Sequence, residues 1–269
     1  MNEVDFIMEP RPAKANFAEN WGSFEVILSC VSRDIGEKVR LLSDELRSVY
    51  GAHRFVVSAA DNGVSRHLEL YCYRQASARP NVDPSEFIRY VTAFFPFHPW
   101  IESAEWLSEV EVVSVEILGT NDGQMIEYVD LYTGFTQIRP RGGLSYRLYG
   151  DGRLEHRNVY CYFDPRSREE ADIERVLSES FHLGPRSAEL ISSVRPLRGL
   201  HYAVKPTSDG VYFGQVDHQV TAAVLEEVDL LSDAAQLLIS NEKTHHLSFD
   251  IGVDFCRDEP VKVALFGSF

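Results

Sequence analysis

Apolar positions along the chain follow two rhythms, one helical and one strictly alternating, and they take turns. Over residues 20–50 the apolar residues recur at helical spacing, with an interruption near Asp34. Val39, Leu42, Leu46 and Val49 share one face of the second part, which ends before Gly51. Alternation then sets in over residues 53–60 and 66–74, joined by the turn sequence Asp61-Asn62-Gly63. Asp83-Pro84 opens a helix that runs to Phe95 and is stopped by Pro96. Residues 110–118 and 125–135 alternate again around Asn121-Asp122-Gly123. After the Arg139-Pro140-Arg141-Gly142-Gly143 loop, residues 144–149 and 154–163 pair around Gly150-Asp151-Gly152. Helical stretches at 169–181 and 186–194 lead to strands 199–205 and 211–216 around Ser208-Asp209-Gly210. A last one at 221–239 leads to strands 245–255 and 261–269.

The pattern predicts an α+β protein with ten strands in five hairpins, four of them introduced by helical segments. It is a repeat of architecture, not of sequence, at roughly fifty residues. Antiparallel hairpins with interleaved helices bury an apolar face in few ways. We expect a closed ten-stranded antiparallel barrel with an outer ring of helices, one domain over residues 1–269. A flat ten-stranded sheet layered with helices is the alternative.

Alternation also sorts each strand into two faces. Leu68, Leu70 and Cys72 oppose His67, Glu69, Tyr71 and Tyr73; Val129 and Leu131 oppose Tyr128, Asp130 and Tyr132. Val159, Cys161 and Phe163 oppose Asn158, Tyr160 and Tyr162, and Leu247, Phe249, Ile251 and Val253 oppose His246, Ser248, Asp250 and Gly252. One face is aliphatic and suits packing under helices. The other is polar and rich in tyrosine: ten of the twelve tyrosines, all but Tyr50 and Tyr90, fall in predicted strands. A solvent-exposed sheet face would carry Lys, Glu, Thr and Ser instead, so the tyrosine face is read as the wall of a wide, wet lumen.

Composition narrows the function. The 269 residues carry 26 Lys+Arg against 41 Asp+Glu, a formal charge of −15. That argues against nucleic acid, which requires a basic face, and weakens the case for an anionic membrane surface. Cys30, Cys72, Cys161 and Cys256 show neither zinc nor disulfide spacing, and neither a signal-peptide core nor a membrane-length apolar run is found. A cytoplasmic protein with reduced thiols is expected.

The repeated hairpins and tyrosine-lined inner face resemble the ABBA, or PT-barrel, prenyltransferases. The likeness is carried by residues 65–73 (Ser-Arg-His-Leu-Glu-Leu-Tyr-Cys-Tyr), 151–163, 200–207 and 261–269. It is nearest to the cyanobactin peptide prenyltransferases and more distant from the soluble bacterial aromatic ones. The resemblance implies transfer of a dimethylallyl or longer prenyl group from its diphosphate to a nucleophilic side chain of a peptide. It further implies that basic residues at matching positions, Arg66, Lys205 and Lys262, grip the diphosphate; Arg147 joins them by strand parity. Tyr71, Tyr73, Tyr160 and Tyr162, with Tyr128, Tyr132 and Tyr212, would shield the allylic cation through their ring faces.

Two departures from the family pattern stand out. Residues 136–143 are too short for the helices usual there, which leaves the third repeat uncertain or the barrel open at its side. Gly214, Gln215 and Asp130 occupy positions where relatives tend to be basic, so Arg139 or Arg141 are candidate substitutes in the grip.

Glu69, Glu116, Asp130 and Asp250 are the candidate catalytic carboxylates, either taking the acceptor's proton or pairing a cationic acceptor such as an arginine-containing peptide. Orienting their neighbours by hydrogen bonds is the other reading of these four. His201 and His246 are further lumen candidates. The Asp-Asp-x-x-Asp metal cluster of isoprenyl synthases is missing, although one Mg²⁺ bridging diphosphate and a carboxylate is compatible with the chain. A prenyltransferase for a small aromatic acceptor and a non-catalytic barrel for an apolar or aromatic ligand are the competing functions.

Overall fold

In the computed structural model, which describes residues 17–51, 55–73, 82–96, 110–118, 126–135, 141–163, 170–194 and 198–268, the two rhythms separate into two layers. The first helical region divides into α1 (Phe17–Leu28) and α2 (Arg33–Tyr50), parting just ahead of Asp34. Val39, Leu42 and Leu46 are fully buried, as their spacing predicts. Val49 is 55% exposed, because Tyr50 takes the inward place in the last turn, edge-on to Phe55 and Tyr90. Strands β1 (Phe55–Asp61) and β2 (Arg66–Tyr73) follow, then α3 (Pro84–Phe94), whose N-terminus is capped by Asp83 accepting from the Ser85 N–H.

Next come β3 (Val112–Leu118), β4 (Tyr128–Phe135), β5 (Arg141–Tyr149) and β6 (Leu154–Phe163), and helices α4 (Glu170–Glu179) and α5 (Pro185–Ser193). Strands β7 (Arg198–Val204) and β8 (Asp209–Asp217) lead into α6 (His218–Val228) and α7 (Ser232–Ser240). The single helix expected over 221–239 is therefore two, broken where Asp229 and Leu231 adopt left-handed backbone with φ of 54° and 53°. A 3-10 turn at Glu242–Thr244 precedes β9 (Ser248–Cys256) and β10 (Glu259–Ser268).

Every strand pairs antiparallel with its chain neighbours, and β1 pairs with β10, so the sheet closes into a ten-stranded barrel. The third repeat is intact. β4 and β5 pair continuously from Tyr128↔Tyr149 to Phe135↔Gly142, which corrects the expectation of a side opening between them.

The aliphatic faces point outward under the helices. Leu68, Leu70, Cys72, Val113, Val115, Phe249 and Ile251 join Phe24, Ile27, Leu42, Leu46, Phe87, Leu225 and Leu238 in one continuous core. Each such side chain contributes about 1.5–3 kcal/mol on burial. A second, smaller cluster lies inside the barrel and includes Val56, Tyr71, Tyr73, Val112, Ala264 and Phe266. An eight-stranded barrel is just filled by its own side chains; with ten strands the interior is wider and keeps space for a ligand.

Candidate active site

The five hairpin turns lie at one end of the barrel and the helical connections at the other, so position along each strand measures depth. A cavity of about 440 Å³ occupies the hairpin half, a size typical of small-molecule sites. Its wall carries Glu69, Glu116, Asp130 and Asp254 together with Arg147, Arg157, Lys205 and Lys262. Beneath them lies an aromatic layer of Tyr71, Tyr132, Tyr160, His201, Tyr212 and Phe266. A narrower space of about 50 Å³ continues toward the helical end between Tyr73, Tyr162 and the bare backbone of Gly134, Gly142 and Gly143. Tyr132, Tyr160 and His201 border both spaces.

The charged layer is an ordered set of ion pairs. Arg147 forks onto Asp130, with Nε–Oδ1 at 2.8 Å and Nη2–Oδ2 at 2.7 Å, and its guanidinium lies 3.6 Å over the Tyr128 ring. Lys205 donates to Asp254 at 2.6 Å and to the Tyr212 hydroxyl at 2.7 Å. Lys262 reaches Glu69 Oε1 at 3.1 Å; the same oxygen lies 3.2 Å from His67 Nε2, and Tyr71 donates to Oε2. Tyr128 donates to Glu116 at 2.6 Å.

These contacts fix the protonation states. Burial works against ionising Glu69, but Lys262, His67 and Tyr71 outweigh it and hold its carboxyl well below the usual range. Burial likewise opposes the charge on Lys205 and Lys262, yet Asp254 and Glu69 respectively raise both above an ordinary lysine. Burial, with the neighbouring carboxylates, pushes Tyr71, Tyr132 and Tyr212 well above an ordinary phenol, so the tyrosine wall is neutral.

Of the residues expected in a diphosphate grip, Arg147, Lys205 and Lys262 meet in this cavity. Arg66 does not. Its Nε donates to Asp61 at 2.9 Å and its Nη1 to Asp233 at 2.8 Å, outside the barrel, tying the β1–β2 turn to α7. Alternation itself places Arg66 with Leu68 and Leu70 on the outer face; only the resemblance implies an inward position. His246 is also outside, exposed in the turn before β9. Arg139 lies outside the described residues, and the backbone of Arg141 opens β5 opposite Tyr162.

Tyr71, Tyr132, Tyr160 and Tyr212 line the main cavity, Tyr73 and Tyr162 line the deeper space, and Tyr128 supports Arg147 and Glu116. Asp250 accepts from the Gln215 N–H at 2.7 Å and so fastens the β8 bulge between Phe213 and Val216, where Gln215 has φ of 54°. The position near Gly214 and Gln215, where the resemblance leads one to expect a basic residue, thus coincides with an irregularity of the strand.

Two charged residues of the cavity wall, Asp254 and Arg157, and the buried His67 beside Glu69 escaped the sequence reading. Asp254 continues the inward series Asp250, Gly252, and parity alone marks it. His67, 4% exposed, stood on the polar face without a role. Arg157 has outward parity in a regular strand; the register shift at Ser145/Tyr146 in the β5–β6 ladder turns it toward the cavity.

No family model and no curated protein matches the chain. Among solved structures, 5-dimethylallyltryptophan synthase from Streptomyces coelicolor is similar, with a TM-score of 0.55 at 12% identity over 93% of this chain and 97% of that one. The likeness is one of fold: a ten-stranded barrel with its helices outside.

Proposed function

We propose that the protein transfers a prenyl group, dimethylallyl or longer, from its diphosphate to a nucleophilic side chain of a peptide. One observation carries the reading: Arg147, Lys205 and Lys262 converge at one level of a closed lumen, directly above a neutral tyrosine layer. In this reading the allylic C–O bond breaks and its electron pair leaves on the diphosphate. The cations gain interaction as that charge develops, which lowers the barrier. The allylic cation formed lies against Tyr71, Tyr132, Tyr160 and Tyr212, each well-placed ring giving about 0.5–2 kcal/mol. The acceptor's lone pair forms the new bond, and a lumen carboxylate takes the proton released. The barrel's similarity to a protein named for making dimethylallyltryptophan supports prenyl chemistry here.

Charge balance supports a cationic acceptor. Asp130, Asp254 and Glu69 each hold a cation that the diphosphate would recruit. Carboxylates left unpaired in a buried wall are costly, and a guanidinium from an arginine-containing peptide would restore their partners. The same oxygens suit a Mg²⁺ ion arriving on the diphosphate. The four free thiols support a cytoplasmic setting; no helix among the described residues is long and apolar enough to cross a membrane.

Incubation with dimethylallyl diphosphate and peptides presenting arginine, tyrosine or tryptophan, read by mass spectrometry, tests the proposal. Turnover should fall roughly 100-fold or more in Lys262→Met and in the charge-neutral pair Lys205→Met with Asp254→Asn. Arg66→Ala should retain it. Equal diphosphate binding by the wild type and both lumen variants would remove the assigned grip. Turnover of free aromatic molecules but of no peptide would move the acceptor to the small-aromatic class, and binding of an apolar ligand without turnover would leave a carrier barrel.

A further inference from the structure

Glu69 and Glu116 are direct cross-strand partners in the β2–β3 ladder, and both face the lumen. Like charges placed opposite one another repel. The surrounding cations answer that repulsion unevenly. Lys262 reaches Glu69, but the Arg147 fork is committed to Asp130 and comes no closer than 3.9 Å to Glu116. Beside the pair sits His67, only 4% exposed, whose buried Nδ1 has no hydrogen-bond partner among the described residues. A buried polar atom left in that state is destabilising. One ligand atom from each of His67, Glu69 and Glu116 lies within 4.8 Å of the other two.

We propose that His67, Glu69 and Glu116 form a resident site for a divalent transition-metal ion of the Mn²⁺, Co²⁺ or Zn²⁺ class, distinct from any ion that a diphosphate carries in. An imidazole with two carboxylates suits such ions, whereas Mg²⁺ and Ca²⁺ favour all-oxygen sets. Bonds of about 2.0–2.2 Å in tetrahedral geometry put ligand atoms ~3.4 Å apart, so the side chains need to close by up to ~1.4 Å. The carboxylates already have supporting contacts: Tyr71 donates to Glu69 Oε2 and Tyr128 to Glu116 Oε2, so an ion would meet Glu116 Oε1 and, in place of Lys262, Glu69 Oε1. The ion neutralises the facing carboxylates and replaces the Lys262 ammonium on Glu69 Oε1. Lys262 is thereby released toward the cavity, while Asp130 and Asp254 remain the carboxylates that face an acceptor.

The site requires no prenyl donor, so it is tested on the chelator-stripped full chain alone. Isothermal titration with Mn²⁺ and Zn²⁺, and the visible absorption of added Co²⁺, should report one ion per chain. Affinity should fall roughly 10- to 100-fold in Glu116→Gln and His67→Gln, and rise in Lys262→Met, which removes the competing ammonium. That gain is an effect that mere structural damage would not produce. Circular dichroism checks folding; should His67→Gln fail to fold, the isosteric Glu116→Gln decides. Absence of stoichiometric binding by the wild type, affinity unchanged in Glu116→Gln, or Mg²⁺ binding as tightly as Mn²⁺ would each overturn the proposal.

Discussion

His201 reports on the solvent properties of the lumen. Its ring packs edge-on to Tyr162 at 4.7 Å, with Tyr160 and Tyr212 on the same wall, and burial pulls its pKa down to about 3. In the unfolded chain the value is about 6.5. Between those limits the unfolded state binds more protons, so stability rises with pH across the window and is lost as pH falls from about 6.5 toward 3. From pH 7 to pH 5 this one group accounts for a loss of about 2 kcal/mol. Urea unfolding at the two pH values should show His201→Phe losing less stability than the wild type by about that amount; identical losses would place His201 in contact with water. At this scale the sequence was legible wherever a residue followed strand parity. Lys205, Lys262, Arg147, Glu69 and the lumen tyrosines lie on the faces that alternation or the resemblance assigns them, Tyr146 and Tyr202 pack into the outer core instead, and Asp254 follows the same rule. Arg66 lies outside the barrel as its parity requires, against the position that the resemblance implies.

Between elements, the hairpin plan was readable because Asn-Gly and Asp-Gly turns and aliphatic alternation are local signals. Strand irregularities were not, since a bulge depends on the partner's register. The β5–β6 shift that aims Arg157 and the β8 bulge held by Asp250 leave no mark in either strand alone. Glycine on one strand opposite tyrosine on the next is another such pairing. Gly252 lies across from Tyr212, and a Cβ there would collide with the ring. The absent side chain lets the Tyr212 ring lie over the β9 backbone, where its hydroxyl meets Lys205 at 2.7 Å and Asp254 at 3.3 Å. Gly252→Val should push the ring off the wall, lower stability by about 1–3 kcal/mol and weaken diphosphate binding together with it. Thermal unfolding and a diphosphate-analogue titration check both. A variant that loses stability yet binds the analogue like wild type would show that Tyr212 takes no part in holding Lys205.

Over the whole molecule the −15 charge takes a spatial form that composition alone could not supply. Acid confined to the outside with a positive island within would be one such form. Glu226 and Glu227 are indeed exposed on α6, but the lumen is balanced: Arg147, Arg157, Lys205 and Lys262 face Glu69, Glu116, Asp130 and Asp254. The excess negative charge therefore lies outside the cavity, and at a distance an approaching substrate meets an anionic body with a neutral mouth. Screening confines that field to about a Debye length, ~10 Å at 0.1 M salt; within it a diphosphate donor is repelled until the lumen cations come into direct reach. A cationic peptide is attracted throughout. Ionic strength should thus move the two association rates in opposite directions. Raising salt should speed capture of a non-ionisable thiolated diphosphate analogue and slow capture of an arginine peptide, each by up to roughly 10-fold. Stopped-flow fluorescence on the full chain measures both. A diphosphate on-rate that falls with salt would mean that the lumen cations, not the net charge, govern approach, and that the ion pairs open before the donor arrives. A peptide on-rate that rises with salt would count against a cationic acceptor.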